Sequence, residues 1–254
     1  MSQPRELSLK ANLNSLSLGN TKSTRKKKTR RQRRESPQPF PPVRPKEEHN
    51  EKIQPTTSIP LPIEDLSQMS SSIRLLVCSI GNPAPYTNTL HSAGHLALSA
   101  LRSGLQYPNF SKSGAHGNGL ISHGSELTLW QSNSLMNISG ACVSQAWRRF
   151  QAESSGEETK LVVVHDELEL GLGDVKVRDG GASAKGHNGL KNIKKCMSGT
   201  RYTRIGVGIG RPESREPDVV ARYVLRKMNG VERAKIEGAW LRVEEELRKI
   251  QEGL

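Results

Sequence analysis

Asn82, His91, Asn137, Asp166 and Asn188 each stand at or just beyond the end of an apolar run, or beside a Gly-rich stretch that opens a helix. Histidine ionises at about pH 6.5 and serves as a general base at neutral pH once its tautomer is fixed. An aspartate closing a buried strand, as in VVVHD, can accept the imidazole N–H, orient the ring and stabilise the imidazolium. Asparagine amides donate hydrogen bonds without charge, which suits an oxyanion or an ester carbonyl. No G-x-S-x-G elbow offers a serine nucleophile, so the base would act on water. Of the seven histidines, only His91 and His95 have helical i, i+4 spacing, and no H-E-x-x-H or nearby third ligand accompanies them. The expectation is a water-activating hydrolase with no metal and no cofactor. Singly, each residue has an ordinary structural use. Asparagines in GNP and HNG bond local backbone, a histidine at a helix start caps it, and an aspartate after a strand caps a turn. The chemistry requires all of them at one rim.

Alternating elements would build that rim. IRLLVCSIG (73–81), ELTLWQS (126–132), KLVVVHDELEL (160–170) and TRIGVGIG (203–210) read as strands, and DVKVRD (174–179) alternates like an exposed edge strand. Helices are predicted over 92–105, over 139–151 with Ser139 as cap, over 187–197, and as one amphipathic segment over 229–252 facing inward at Val231, Ile236, Trp240 and Leu247. The predicted class is α/β, a single domain with a central mixed sheet flanked by helices. In such open folds ligands bind beyond the carboxyl ends of strands, where these five residues fall. GVGIG lies inside a strand pattern and is followed by Arg-Pro-Glu-Ser, so it is no dinucleotide loop.

The chain has 254 residues and a formal charge of +13, which points to an anionic partner, nucleic acid first. Residues 1–70 hold 14 Lys and Arg against seven Asp and Glu, including RKKKTRRQRR at 25–34. A segment so charged and so poor in aromatics is expected to be a disordered basic tail, with the folded domain over 71–254. No apolar run reaches the roughly 18 residues of a membrane span, and the start shows no apolar signal core. Three scattered cysteines, Cys78, Cys142 and Cys196, are no disulfide framework. The expected compartment is the cytosol or the mitochondrion, and the expected state a monomer.

GNPAPYTNTLHSAGH (81–95), SLMNISG (134–140), VVVHDELEL (162–170), GHNGLKNI (186–193), RIGVGIGRP (204–212) and VVARYVL (219–225) resemble the motifs of the bacterial-type peptidyl-tRNA hydrolases, over roughly residues 73–250. The resemblance implies hydrolysis of the ester joining a peptide, or another N-blocked aminoacyl group, to the 3′-ribose of tRNA. It implies His91 as the base, Asp166 as its orienting carboxylate, and Asn82 beside His91 favouring N-blocked substrates. It further implies Asn137 on the scissile carbonyl, Asn188 on substrate or water, and Tyr86 on the tRNA 3′ end. Leu135 stands where the family has a tRNA-facing aromatic, and Ser92 where it has an amide. Lys176 and Arg178 match its phosphate clamp, while Gly206 replaces an arginine. The basic tail is expected to supply part of that phosphate grip. The other reading carried from the sequence is a non-catalytic RNA-binding or splicing-factor relative with the same fold.

Overall fold

The structure, a computed structural model, describes residues 73–254. The expected tail, with its RKKKTRRQRR run, lies outside the described residues. In chain order the elements are β1 (Arg74–Ser79), α1 (Ala93–Gly104), β2 (Ser111–Ser113), β3 (Gly119–His123), β4 (Leu127–Gln131), α2 (Ser139–Glu153), β5 (Thr159–Glu167), β6 (Val175–Asp179), α3 (Asn188–Cys196), β7 (Thr203–Gly208), α4 (Pro217–Leu225), α5 (Gly230–Gly238) and α6 (Trp240–Glu252). Seven strands form one sheet in the order β2-β3-β4-β1-β5-β7-β6. β4, β1, β5 and β7 are parallel neighbours, and the pairs β2/β3, β3/β4 and β6/β7 are antiparallel. The sheet is mixed, and the strand expected at 174–179 is its edge. After β1 the chain crosses to the far edge at β2, builds inward through β3 to β4 beside β1, then crosses to place β5 on the other side of β1. Crevices at such reversals are where open α/β sheets bind ligands.

Period-two alternation sorts the strand side chains into two cores. Leu75, Val77, Leu129, Val162, Val164, Ile205 and Val207 meet Leu98, Leu101, Ile236, Val243 and Leu247 from α1, α5 and α6. Leu76, Cys78, Trp130, Leu161 and Val163 meet Val143, Trp147, Phe150, Leu190 and Ile193 from α2 and α3. The near-continuous apolar runs of β1 and β5 follow from burial on both faces.

Three local expectations are corrected. The segment 229–252 is two helices: after Gly238, a weak helix former, Ala239 keeps helical angles but its N–H donates to Ile236 O, three residues back, which interrupts the i−4 ladder. An Asn229/Glu232 capping box starts α5, which leaves Val231 in an exposed first turn rather than on the apolar face. Ser139 does not cap α2: Ile138 holds that position, and the buried Ser139 hydroxyl donates to Leu135 O at 3.2 Å. The short strands β2 and β3 and helix α4 are additional to the sequence reading.

Candidate active site

His91 sits in a 3-10 turn, Leu90–Ser92, that leads into α1. Leu90 and Ser92 are fully buried, so the residue between them is turned outward. Ser92 Oγ accepts Asn82 N–H at 3.1 Å and donates to Tyr86 O at 2.9 Å, tying the loop after β1 beneath the turn. On the other side Leu90 N–H donates to Arg226 O and Met228 N–H to Asn88 O. Gly94 then lets α1 approach the sheet closely. A Cβ there would lie 2.7 Å from Val164 O and 3.1 Å from both Ile80 O and His165 Cα.

Asp166 lies near the end of β5, on the face shared with Val162 and Val164, the face α1 covers. Its carboxylate is 2% exposed. Oδ2 is 2.8 Å from His91 Nδ1 and Oδ1 is 3.0 Å from His187 Nε2. Burial opposes ionisation of Asp166, but the two imidazoles outweigh it and hold the carboxyl well below the usual carboxylate range. Burial likewise works to lower His91, and the Asp166 charge and hydrogen bond outweigh it, so its pKa stands above the ordinary 6.5. An ionised carboxylate only accepts, so His91 carries its proton on Nδ1 and keeps the Nε2 lone pair free.

Among the described residues, His91, Asp166 and His187 are the one group with the composition and spacing of a metal site, their ligand atoms lying within 4.8 Å of one another. Both contacts are accounted for as separate N–H···O bonds, one to each oxygen.

Asn82 is buried, and its side-chain carbonyl accepts Met136 N–H at 2.9 Å, which leaves its NH₂ as a donor. Asn137 follows Met136 in the 3-10 turn Met136–Ile138 and is exposed. That turn touches the start of α3 at Gly189, where a Cβ would meet Met136 Sδ at 2.5 Å and Met136 O at 3.0 Å. Asn188, first residue of α3, is exposed on the wall of a cavity of about 450 Å³ that also takes in His91, Asp166 and His187. Leu168, Val220, Val224 and Leu225 give the cavity an apolar side. Tyr86 and Leu135 are roughly half exposed on the adjoining loops, at 44% and 49%.

Lys176 and Arg178 are not part of that wall. They lie on edge strand β6, opposite Gly206 and Arg204 of β7, and the Arg178 Nε stands 3.9 Å from a Glu167 carboxylate oxygen. Sequence reasoning sets His187 beside Asn188 at the helix start but gives it no part in the chemistry. Its place just before the helix at 188 marks it as a cap, and it is one: Nδ1 accepts Leu190 N–H at 3.3 Å. Nothing in the residue pattern tells that the same ring turns its other edge to Asp166.

Of the three asparagines only Asn188 lines the cavity; Asn82 and Asn137 lie off its wall. A carboxylate-oriented imidazole at the carboxyl ends of a largely parallel sheet, open to a cavity, is the equipment of a water-activating hydrolase. The family model described as peptidyl-tRNA hydrolase matches residues 76–254. The peptidyl-tRNA hydrolase of Rhodococcus opacus (strain B4) is 36% identical over 165 residues, covering 64% of this chain and 83% of that protein. The probable peptidyl-tRNA hydrolase of Schizosaccharomyces pombe is 37% identical over 164 residues, covering 64% and 75%. The crystal structure of peptidyl-tRNA hydrolase from Acinetobacter baumannii superposes with a TM-score of 0.59 at 26% identity, over 72% of this chain and 90% of that one. The chain belongs to the peptidyl-tRNA hydrolase family. No helix among the described residues is long and apolar enough to cross a membrane.

Proposed function

We propose that the domain over residues 71–254 hydrolyses peptidyl-tRNA, cleaving the ester between a peptide, or another N-blocked aminoacyl group, and the 3′-terminal ribose. The observation that carries this reading is the 2.8 Å bond from His91 Nδ1 to Asp166, which leaves Nε2 free as a base. His91 Nε2 takes a proton from water as the water oxygen attacks the ester carbonyl, and Asp166 stabilises the imidazolium that forms. Asn137 donates to the developing oxyanion, and Asn188 holds substrate or the attacking water. Collapse expels the ribose oxygen, which takes the proton back from His91, and releases free tRNA and the peptide acid. The NH₂ of Asn82 faces the acyl group and favours N-blocked substrates, while the apolar cavity side takes an amino-acid side chain of the peptide. Tyr86 and Leu135 receive the tRNA 3′ end. Lys176 and Arg178, aided by the basic tail, bind phosphate. One chain supplies every residue of this set, so the reading is of a monomer, working where ribosomes do, in the cytosol or the mitochondrion.

The test is deacylation of N-acetyl-aminoacyl-tRNA beside unblocked aminoacyl-tRNA. Rapid cleavage of the blocked form alone, lost in His91→Ala with tRNA binding retained, is the expected result. Binding without cleavage by the unaltered protein would make it an RNA-binding relative instead.

A further inference from the structure

We propose that His187 is a positioning residue for this reaction: by holding the second oxygen of Asp166 it fixes the carboxylate that orients His91. The proposal rests on the base role given to His91 above. His187 Nδ1 is occupied as an acceptor from Leu190 N–H, so its ring proton is on Nε2, 3.0 Å from Asp166 Oδ1. One imidazole therefore ties the N-terminus of α3 to the end of β5. A carboxylate 2% exposed needs partners for both oxygens. With His91 alone, Oδ1 would be bare and the carboxylate free to turn, carrying the His91 ring with it. The two rings also lie beside each other, 5.1 Å apart and tilted by 47°, and the carboxylate bonds to both.

His165 backs the arrangement. Its Nδ1 is 2.7 Å from Asp166 O, and its ring stands edge-on to His187 at 5.4 Å. The other charged groups on the same cavity are Glu167, Lys185, Arg204 and the Glu169–Arg211–Arg215 cluster. Among the described residues, Asp166 is the one carboxylate that contacts the His187 ring.

Two substitutions separate the capping role from the carboxylate role. In His187→Asn the side-chain oxygen replaces Nδ1 and still caps α3, since asparagine is among the best caps, but nothing reaches Asp166. In His187→Gln the amide NH₂ replaces Nε2–H and reaches Asp166, while the cap is lost. A slackened His91 of the order of 1 Å predicts a fall in kcat of about 10- to 100-fold for His187→Asn, with KM within about twofold. His187→Gln recovers most of that loss. The reverse order, with His187→Asn like the unaltered protein and His187→Gln impaired, is the signature of a cap alone and overturns the proposal. NMR titration of the His91 imidazole reads the same contact without substrate. Once Asp166 loses the His187 donor, its charge acts on His91 undivided, and the His91 midpoint rises further in His187→Asn. An unmoved midpoint also overturns the proposal. Because the titration needs no turnover, absence of deacylation by the unaltered protein would count against the proposed function and leave this result standing.

Discussion

Asp166→Asn exchanges a carboxylate with two acceptor oxygens for an amide with one acceptor and one donor, in a place where two imidazole N–H groups both require an acceptor. The His187 tautomer is set by Leu190 N–H on its Nδ1, so the single oxygen of the new amide is claimed by His187 Nε2–H. The NH₂ is left facing His91 Nδ1. That nitrogen must then accept, which moves the ring proton to Nε2 and removes the base. By analogy with the orienting aspartate of serine proteases, the loss reaches about 10⁴-fold in kcat, roughly 5 kcal/mol of transition-state stabilisation. Binding of tRNA and the circular dichroism spectrum should stay those of the unaltered protein. The pH profile adds a second reading. The base must be neutral, so activity of the unaltered protein falls as pH drops through a midpoint above 6.5, raised there by Asp166 against the effect of burial. Without the carboxylate only burial remains, and the residual activity should lose its acid limb to a midpoint below 6.5. Single-turnover deacylation of N-acetyl-aminoacyl-tRNA between pH 5 and 8 measures both effects. A rate within a few-fold of the unaltered enzyme, or an acid limb that does not move, would refute the orienting role of Asp166.

Gly94→Ala should lower both stability and kcat, because its Cβ would sit 2.7 Å from the backbone oxygen of Val164, which cannot yield. Overpacking of about 1–3 kcal/mol exceeds the helix-propensity gain of up to about 1 kcal/mol, and urea denaturation read beside turnover checks both. Turnover should survive dialysis against EDTA; a loss that zinc restores would make His91, Asp166 and His187 metal ligands rather than a hydrogen-bonded set. Stability should fall on acidification from pH 6 to pH 4.5. Burial first, joined for His165 by the nearby His187 charge, brings His95 down to about 4 and His165 to about 3, so the unfolded state binds the extra protons in that window. Each histidine contributes a loss of about 1.4 kcal/mol per pH unit, and His91, whose midpoint is raised, acts in the opposite sense only above 6.5. A flat denaturation midpoint across that range would mean these two rings titrate normally.

The parts of the site that sequence exposes are those that strand parity decides. In LVVVHDE the alternation carries Asp166 with Val162 and Val164, the face α1 covers, and His91 stands in the turn leading into α1. Neighbouring His165 is thereby sent toward the opposite face with Val163, yet at the strand end both residues reach the one cavity and both meet His187. Parity also puts Lys176 and Arg178 on one face, yet it cannot reveal that Glu167 of β5 lies close enough to share Arg178. β2 is the opposite case. Ser-Lys-Ser has no apolar member to alternate, and it is a strand because its backbone pairs with β3. His187 escapes for a different reason. Its capping bond is local and follows from its place at a helix start, whereas its bond to Asp166 depends on how far the α3 N-terminus descends onto the sheet. Gly189 against Met136 sets that depth on one side, and the Arg204 Nη2 bond to Ser183 O of the preceding loop sets it on the other. Neither contact joins residues close in sequence, so a histidine that looks complete as a cap becomes half of a carboxylate clamp only after the chain has closed.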